Sequence, residues 1–330
     1  MTGERGRESR GGLLSAAYGR IALMRRAWYS HRPGRRRRLN HPVISVGNLS
    51  SGGSGKTPVV AALARLLRDR GERPAVLTRG YGRRQATEGV LVVSDGERVL
   101  EPVSRSGDEP QLLARALPGV PVLVSADRYL AGTFAERQFG VTVSILDDGF
   151  QHVQLERDVD LLLVAPADLE DRVLPSGQLR EPLDSAHCAD ALLVTGTEHD
   201  VSGVAAALGH QRAFRTIPSY GSLSNGGRVL SDPPNRIVAF AGIARPERFF
   251  NALRLLGYEV VRELTFRDHH WYSARDLEAI QQAAREANAS IIVTTEKDAV
   301  RCTLDVAVLP MRVDIEPAAD FAQWLMGRLH

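Results

Sequence analysis

The sequence predicts an α/β protein, a parallel sheet sandwiched by helices and followed by a second, smaller α/β domain. Two observations carry this reading. From His41 onward, short apolar runs of strand length alternate with longer amphipathic runs of helix length, as in a parallel sheet covered on both faces. Near Arg236 a second series of the same kind begins, after a stretch from Pro218 to Asn235 rich in Gly, Ser, Asn and Pro that reads as a linker. With 330 residues, 43% of them apolar, the chain can bury two cores.

Residues 1–40 precede the first series. Leu13, Leu14, Ala17, Ile21, Met24, Trp28 and Tyr29 fall roughly on one helical face, interrupted by Arg20, Arg25 and Arg26 and followed by Arg35 to Arg38. A basic amphipathic helix with Trp and Tyr suits a membrane interface. A helix packed on the domain, ending in a solvated basic loop, fits the same residues.

The first domain is expected over 41–214. Its strands are Pro42–Val46, Ala75–Thr78, Val122–Ser125, Val141–Asp147, Val159–Val164 and Ala191–Thr195. Its helices include Thr57–Arg70, ended by Gly71, then Glu109–Leu117 and Arg128–Phe139. Gly89–Val93 and Arg98–Leu100 read as a hairpin around Asp95 and Gly96. The smaller domain is expected over 215–316. It runs strand Ile237–Ala241, helix Pro246–Leu256, strand Tyr258–Leu264, helix Ser273–Ala287 and strand Ser290–Thr294. Ala213–Ile217 and Val306–Val313 flank it and are expected to pair as a two-stranded connection. The amphipathic helix Pro317–Leu329, within 317–330, is expected to dock back on the first domain.

Composition narrows the class. Cys188 and Cys302 lie far apart without metal-ligand spacing, which suits a reducing cytosol and argues against a disulfide framework. No apolar run approaches the roughly 20 residues of a spanning helix, and no signal-peptide core opens the chain. These features point to the cytosol or the cytosolic side of a membrane. The first 38 residues carry eleven arginines against Glu4 and Glu8, a formal +9; the whole chain is +3, so the remainder carries −6. Of 42 basic residues only Lys56 and Lys297 are lysines. Where Arg is written almost everywhere, a surviving lysine marks a need for a compact ammonium on a flexible stem. For Lys297 chance survival is the open alternative; for Lys56 it is a poor one.

Lys56 lies in the segment that carries the chemistry. Strand Pro42–Val46 runs into GNLSSGGSGKTP (47–58) and then a helix, the strand, glycine loop and helix of a P-loop NTPase-type sheet. Ser51, Gly52, Gly53, Ser54, Gly55, Lys56, Thr57 and Pro58 are the expected nucleotide-binding residues. Backbone N–H groups turn inward on the phosphates at the positive end of the helix. Lys56 reaches the β- and γ-phosphates, and the Thr57 hydroxyl binds Mg²⁺. The strict pattern places Gly where this chain has Ser50. Asp147 and Asp148 end a neighbouring apolar strand, where the second magnesium anchor of such proteins sits; adjacent acids point to opposite sides, so one serves the metal. ATP and Mg²⁺ are therefore the expected cofactors.

Other candidates are less specific. Asp108, in GDEP (107–110), reads locally as a cap for the helix behind it, with a proton-accepting carboxylate as the alternative. FRDHH (266–270) lacks metal spacing and reads as a solvated loop. Arg79 to Arg84 and Arg180–Pro182 follow strands at the sheet edge where phosphates bind.

Together with SADR (125–128), DDGFQH (147–152), LREP (179–182) and TEKDAVR (295–301), these motifs stand in an order that resembles the tetraacyldisaccharide 4'-kinase family of the lipid A pathway, over roughly residues 12 to 301. That family also departs from Gly at the position of Ser50. The resemblance implies transfer of the ATP γ-phosphate to the 4'-hydroxyl of tetraacyldisaccharide 1-phosphate, giving lipid IVA. It implies peripheral association of the N-terminal helix with the cytoplasmic face of the inner membrane. It further implies Asp108 as base with His269 as its partner from the second domain, with Asp148 as the alternative base, and Lys56 on the phosphates. The rest of the expectation is a monomer without a nucleic-acid partner. A membrane-surface partitioning ATPase would carry a lysine where Ser51 stands. A guanine-reading GTPase would carry Asn where Thr295–Asp298 reads TEKD, and no aromatic stacking module accompanies the basic segment.

Overall fold

Runs that are apolar on both faces become the inner strands of a covered sheet, and amphipathic runs become its covering helices. The computed structural model describes residues 4–52, 55–85, 88–232 and 235–330. In chain order the first part comprises α1 (Glu4–Ser30), β1 (Val43–Asn48), α2 (Lys56–Asp69), β2 (Pro74–Thr78), β3 (Leu91–Ser94), α3 (Val103–Ser106), α4 (Asp108–Ala116), β4 (Val122–Val124), α5 (Arg128–Phe139), β5 (Val143–Asp147), β6 (Val159–Val164), β7 (Ala191–Thr195), α6 (Glu198–Ala207) and β8 (Ala213–Tyr220). The second comprises β9 (Ser224–Asn225), β10 (Arg228–Val229), β11 (Arg236–Ala241), α7 (Pro246–Leu255), β12 (Glu259–Thr265), α8 (Ala274–Glu286), β13 (Ile291–Thr295), α9 (Glu296–Ala299) and β14 (Ala307–Leu309). The chain returns through β15 (Met311–Glu316) and ends in α10 (Ala318–Leu329).

Among the described residues nine strands form the larger sheet in the order β15-β8-β7-β6-β1-β5-β2-β4-β3. Its two edge strands, β3 and β15, are antiparallel to their neighbours, and the interior pairs are parallel. Every residue of β1, β5 and β6 is buried, as strands covered on both faces require. On one face α2 packs Val59, Val60, Leu63 and Leu67 against Ile44, Val46, Val76 and Ile145. On the other, Ala131 and Ala135 of α5 meet Leu77, Leu123 and Leu146. In the C-terminal helix, Phe321 and Leu325 join the core that α2 covers, with the Phe321 ring 5.0 Å from Phe214. The smaller sheet runs β10-β9-β14-β13-β11-β12, with Phe249, Phe250 and Leu253 of α7 on one face and Ile280, Ala283 and Ala284 of α8 on the other.

Three local expectations are corrected. The hairpin around Asp95 and Gly96 shrinks to one bridge, Ser94 to Val99, while β3 pairs with β4. The half-exposed Val99 and Leu100 bury too little to hold a strand of their own. The stretch from 218 to 235 is more than a linker: it extends β8 to Tyr220 and holds the β9–β10 hairpin. That hairpin turns on Gly226 and Gly227, both at positive φ, and strands two residues long leave no periodic signal. Finally, the expected partner 306–313 of β8 is two strands. β14 belongs to the smaller sheet and β15 pairs with β8, because Pro310, lacking an N–H, divides the run.

Candidate active site

β1 lies between β5 and β6, and its register pairs Val46 with Asp147. The loop after β1 therefore emerges beside the Asp147–Asp148 pair, at the carboxyl edge where such sheets bind ligands. The approach is close. A Cβ on Gly47 would lie 2.5 Å from Phe150 Cβ, and one on Gly149 2.6 Å from Leu146 Cβ, so both positions demand glycine. Segment 178–180 braces the loop. Ser51 N donates to Gln178 O at 2.7 Å, Arg180 N to Leu49 O at 2.6 Å, and Ser51 Oγ to Gln178 O at 3.0 Å. Gly52 and Gly55 have φ of +131° and +78°, and Gly55 leads directly into α2. Thr57 and Pro58 occupy the first turn of α2, which carries neither an acidic residue nor a side-chain cap. Of the expected phosphate-binding residues, Gly53 and Ser54 lie outside the described residues.

Lys56 Nζ donates to Asn48 Oδ1 at 2.8 Å and lies 3.3 Å from Asp148 Oδ1. Asn48, which nothing but its place in the glycine loop marks in the sequence, steers the lysine stem toward the acids. The two acids part as adjacent residues do. Asp147, buried at 2% exposure, accepts from Thr78 Oγ1 at 3.2 Å. Asp148, at φ +54°, accepts Arg180 Nη1 at 2.8 and 3.0 Å. Their electrostatics part too. Burial, reinforced by Glu109 and Asp148, pushes the Asp147 carboxyl up to about 7. Burial also opposes ionisation of Asp148, but Lys56 and Arg180 outweigh it and hold that carboxyl below the usual range. A divalent cation fits Asp147, because its charge offsets the burial that otherwise favours the neutral acid. Among the described residues no three His, Cys, Asp or Glu side chains form a metal cage. An ion that binds through one or two carboxylates, water and phosphate oxygens needs none.

The GDEP loop departs from its local reading. Gly107 precedes α4 without any side-chain cap, and Asp108 is the first helical residue. Its carboxylate, 4% exposed, turns to the loop after β12, where His269 Nδ1 lies 2.9 Å from Oδ2. FRDHH is correspondingly no solvated loop. His269 stands at φ +98° with its N–H donating to Gly242 O at 3.3 Å, and His270 Nε2 lies 3.0 Å from Asp276 Oδ2. Gly82 faces the pair, and a Cβ there would be 3.8 Å from His269 Nδ1 and 3.9 Å from Asp108 Oδ1. Burial raises the cost of charging Asp108, yet His269, Lys297 and Arg301 together bring its carboxyl below the ordinary value. The last two are residues that local reasoning left aside. Lys297 Nζ lies 3.1 Å from His269 Nε2, and the buried Arg301 Nη1 is 3.6 Å from Asp108 Oδ2. Lysine scarcity was the one sequence signal for the first, and membership of TEKDAVR the signal for the second.

The remaining arginines divide between scaffold and site. Arg128 is buried and donates to the Ser125 and Ala126 carbonyls; burial, with Arg79 adding, pushes its guanidinium down to about 10. Arg84 stacks over Trp271 at 4.2 Å, tying the loop after β2 to the loop after β12. Glu181 is held by α1: Arg26 grips it at 2.9 and 3.0 Å, donates to Phe150 O at 3.0 Å, and lies over the Phe150 ring. Ser15 hydrogen-bonds Ser176 and Gly19 packs on Pro182, so one face of α1 is docked beside the site. The other presents Leu14, Ile21 and Met24 at 61%, 66% and 71% exposure. No helix among the described residues is long and apolar enough to cross a membrane.

The chain as a whole is similar to known proteins. The solved structure of LpxK from Aquifex aeolicus in complex with ATP superposes with a TM-score of 0.82 at 34% identity, covering 98% of this chain and 99% of that one. The tetraacyldisaccharide 4'-kinase of Syntrophus aciditrophicus is 40% identical over 94% of this chain and 90% of its own length. That of Koribacter versatilis is 44% identical over 86% of each. The family model described as tetraacyldisaccharide-1-P 4'-kinase matches residues 12–330. This chain belongs to the tetraacyldisaccharide-1-P 4'-kinase family.

Proposed function

We propose that the protein transfers the γ-phosphate of ATP to the 4'-hydroxyl of tetraacyldisaccharide 1-phosphate, forming lipid IVA and ADP. The observation that carries this is the contact between Asp108 and His269, a buried carboxylate and its histidine partner brought together from the two sheets. Asp108 accepts the 4'-hydroxyl proton as that oxygen attacks the γ-phosphorus and the bond to ADP breaks. Lys56 exchanges Asn48 and Asp148 for phosphate oxygens, and the backbone amides of Gly55 and Lys56 at the start of α2 meet the phosphates. Thr57 and Asp147, with Asp148, would hold Mg²⁺, which supplies a counter-charge for the β- and γ-phosphates. Arg180 sits on Asp148 and is placed to neutralise charge on the transferred group.

The test is phosphate transfer in mixed detergent micelles with Mg-ATP and tetraacyldisaccharide 1-phosphate, read by mass spectrometry. One added phosphate is expected, and Lys56→Ala should reduce its rate by about 10²- to 10³-fold, the loss on removing a preorganised charge from a transition state. ATP hydrolysis with unmodified lipid would replace this reading with an ATPase switch.

The exposed stripe of α1 supports peripheral binding to the cytoplasmic face of the inner membrane. An acceptor with four acyl chains resides in a bilayer, and this stripe lies on the face opposite the one docked beside the site. The triple variant Leu14→Ser, Ile21→Ser, Met24→Ser should lower the partition coefficient onto anionic vesicles by about 100-fold, at roughly 1 kcal/mol per half-buried side chain. Unchanged cosedimentation would remove α1 from the membrane contact.

A further inference from the structure

We infer that α1 is a lever on the phosphate site: it holds the segment 173–182 that braces the phosphate loop, so that a bilayer on its outer face and ATP in the loop each strengthen binding of the other. The inference rests on the reading, given above, that the outer face of α1 meets the membrane.

The inner face of α1 is polar where a packed helix is ordinarily apolar. Among its described side chains the buried positions are Ser15, Gly19 and Arg26, which fall on one helical stripe. All three meet the same short segment. Ser15 Oγ donates to Ser176 Oγ at 2.8 Å and accepts Ser176 N at 3.2 Å. Gly19 lies so close to Pro182 that a Cβ there would be 3.1 Å from its Cγ. Arg26 forms its two parallel bonds to Glu181.

The other flank of that segment is the wall of the phosphate loop. Ser50 and Leu179 form an antiparallel bridge, with Ser51 N donating to Gln178 O and Arg180 N to Leu49 O. Leu179 is buried in one cluster with Leu49 and Phe150. Arg180, next to Glu181, holds Asp148 through both carboxylate oxygens. A second line runs alongside the first. Arg25 Nη1 donates to Gln151 O at 3.0 Å, Gln151 Nε2 to Asn48 O at 3.0 Å, and Asn48 Oδ1 accepts Lys56 Nζ at 2.8 Å. Both lines start from adjacent arginines of α1 and end on the groups that surround the phosphates in the proposed reaction.

The sign of the coupling follows from what α1 needs in order to be a helix. Gly6, Gly11, Gly12 and Gly19 lie within it, each less favourable there than alanine. Such a helix depends on the surfaces that cover it. A bilayer covers the outer stripe and so favours the helical form, whose inner face fits segment 173–182. Phosphates in the loop hold that segment from its other side. Bilayer and nucleotide therefore bias one two-state element, α1 docked or released, in the same direction. Reciprocity sets the rest: whatever factor the bilayer adds to ATP affinity, ATP adds to bilayer affinity.

The experiment uses the full chain without lipid acceptor. The Kd of the β,γ-methylene analogue of ATP with Mg²⁺ is measured by calorimetry, with and without vesicles of phosphatidylethanolamine and phosphatidylglycerol. Cosedimentation with the same vesicles is measured with and without the analogue. Vesicles should tighten the analogue about 5- to 20-fold, within the usual range of coupling between sites, and the analogue should raise vesicle partition by the same factor. These arms need no variant to fold. The double variant Arg26→Met, Glu181→Leu, which strands no buried charge, should still sediment with vesicles. In it the vesicles should change the Kd by less than about twofold, because the docked state no longer links the two sites. Sedimentation of the wild type with an unchanged Kd would overturn the coupling and leave α1 a tether alone. Tightening that persists in the double variant would overturn the route through segment 173–182. A wild type that does not sediment would overturn the membrane reading, and the inference with it.

Discussion

Asp108→Asn is expected to lower kcat by about 10²- to 10⁴-fold, the contribution of a positioned general base, with the KM for ATP little changed. The substitution preserves volume at a site only 4% exposed, so packing against the loop after β2 survives. The amide, however, cannot take the hydroxyl proton. Burial works against the carboxylate, but His269, Lys297 and Arg301 outweigh it and hold Asp108 below the usual aspartate range. The sign follows. Its ionised form is fully present at neutral pH, and activity should fall on the acid side only as pH drops through that lowered value. The stability this carboxylate gains from its cations is likewise present above its unfolded value and lost as pH falls through the folded one. Asp108→Asn should abolish that dependence. Near-normal kcat in Asp108→Asn, with loss in Asp148→Asn, would transfer the base role to Asp148.

How far such residues were legible depended on whether their partners are local. The phosphate loop was readable because strand, glycines, Lys56 and helix are consecutive, and β1 and α2 form where the pattern placed them. Asp147 and Asp148 were readable because a strand end is a local feature. Asp108 was not. Its neighbours alone favour a helix cap, and its partner His269 arrives from another sheet, so only the resemblance to a family named the pair. β14 and β15 were merged because apolar runs on either side of Pro310 look continuous, while the sheets they join are decided by pairing at long range. Arg301 and Asp298 form a buried ion pair that no sequence pattern separates from a surface i,i+3 pair. Arg26 was hidden by company: among eleven N-terminal arginines, composition cannot say which one is dry.

That burial makes Arg26→Met the variant with the largest expected effect on stability, a loss of about 3–5 kcal/mol, the cost of leaving a buried carboxylate without its partner. Arg26 and Glu181 are 6% and 5% exposed and meet through two parallel hydrogen bonds, while a third bond satisfies the Phe150 carbonyl. Methionine keeps contact with the Phe150 ring but removes every donor, so Glu181 must take up a proton, admit water or release α1. The release would not stay local. Glu181 adjoins Arg180, which holds Asp148, and Phe150 follows the acid pair by two residues and packs against Gly47. A helix with an exposed apolar face is thus clamped to the loop that presents Asp148, and loosening it should lower kcat as well as stability. Adding Glu181→Leu to Arg26→Met removes the stranded charge and should recover most of the stability, because two apolar groups in place of a buried pair leave nothing unsatisfied but one carbonyl. Urea unfolding of the single and double variants separates these terms. A single-variant loss below about 1 kcal/mol is the behaviour of a solvated pair, and would mean that α1 parts from the loop in solution.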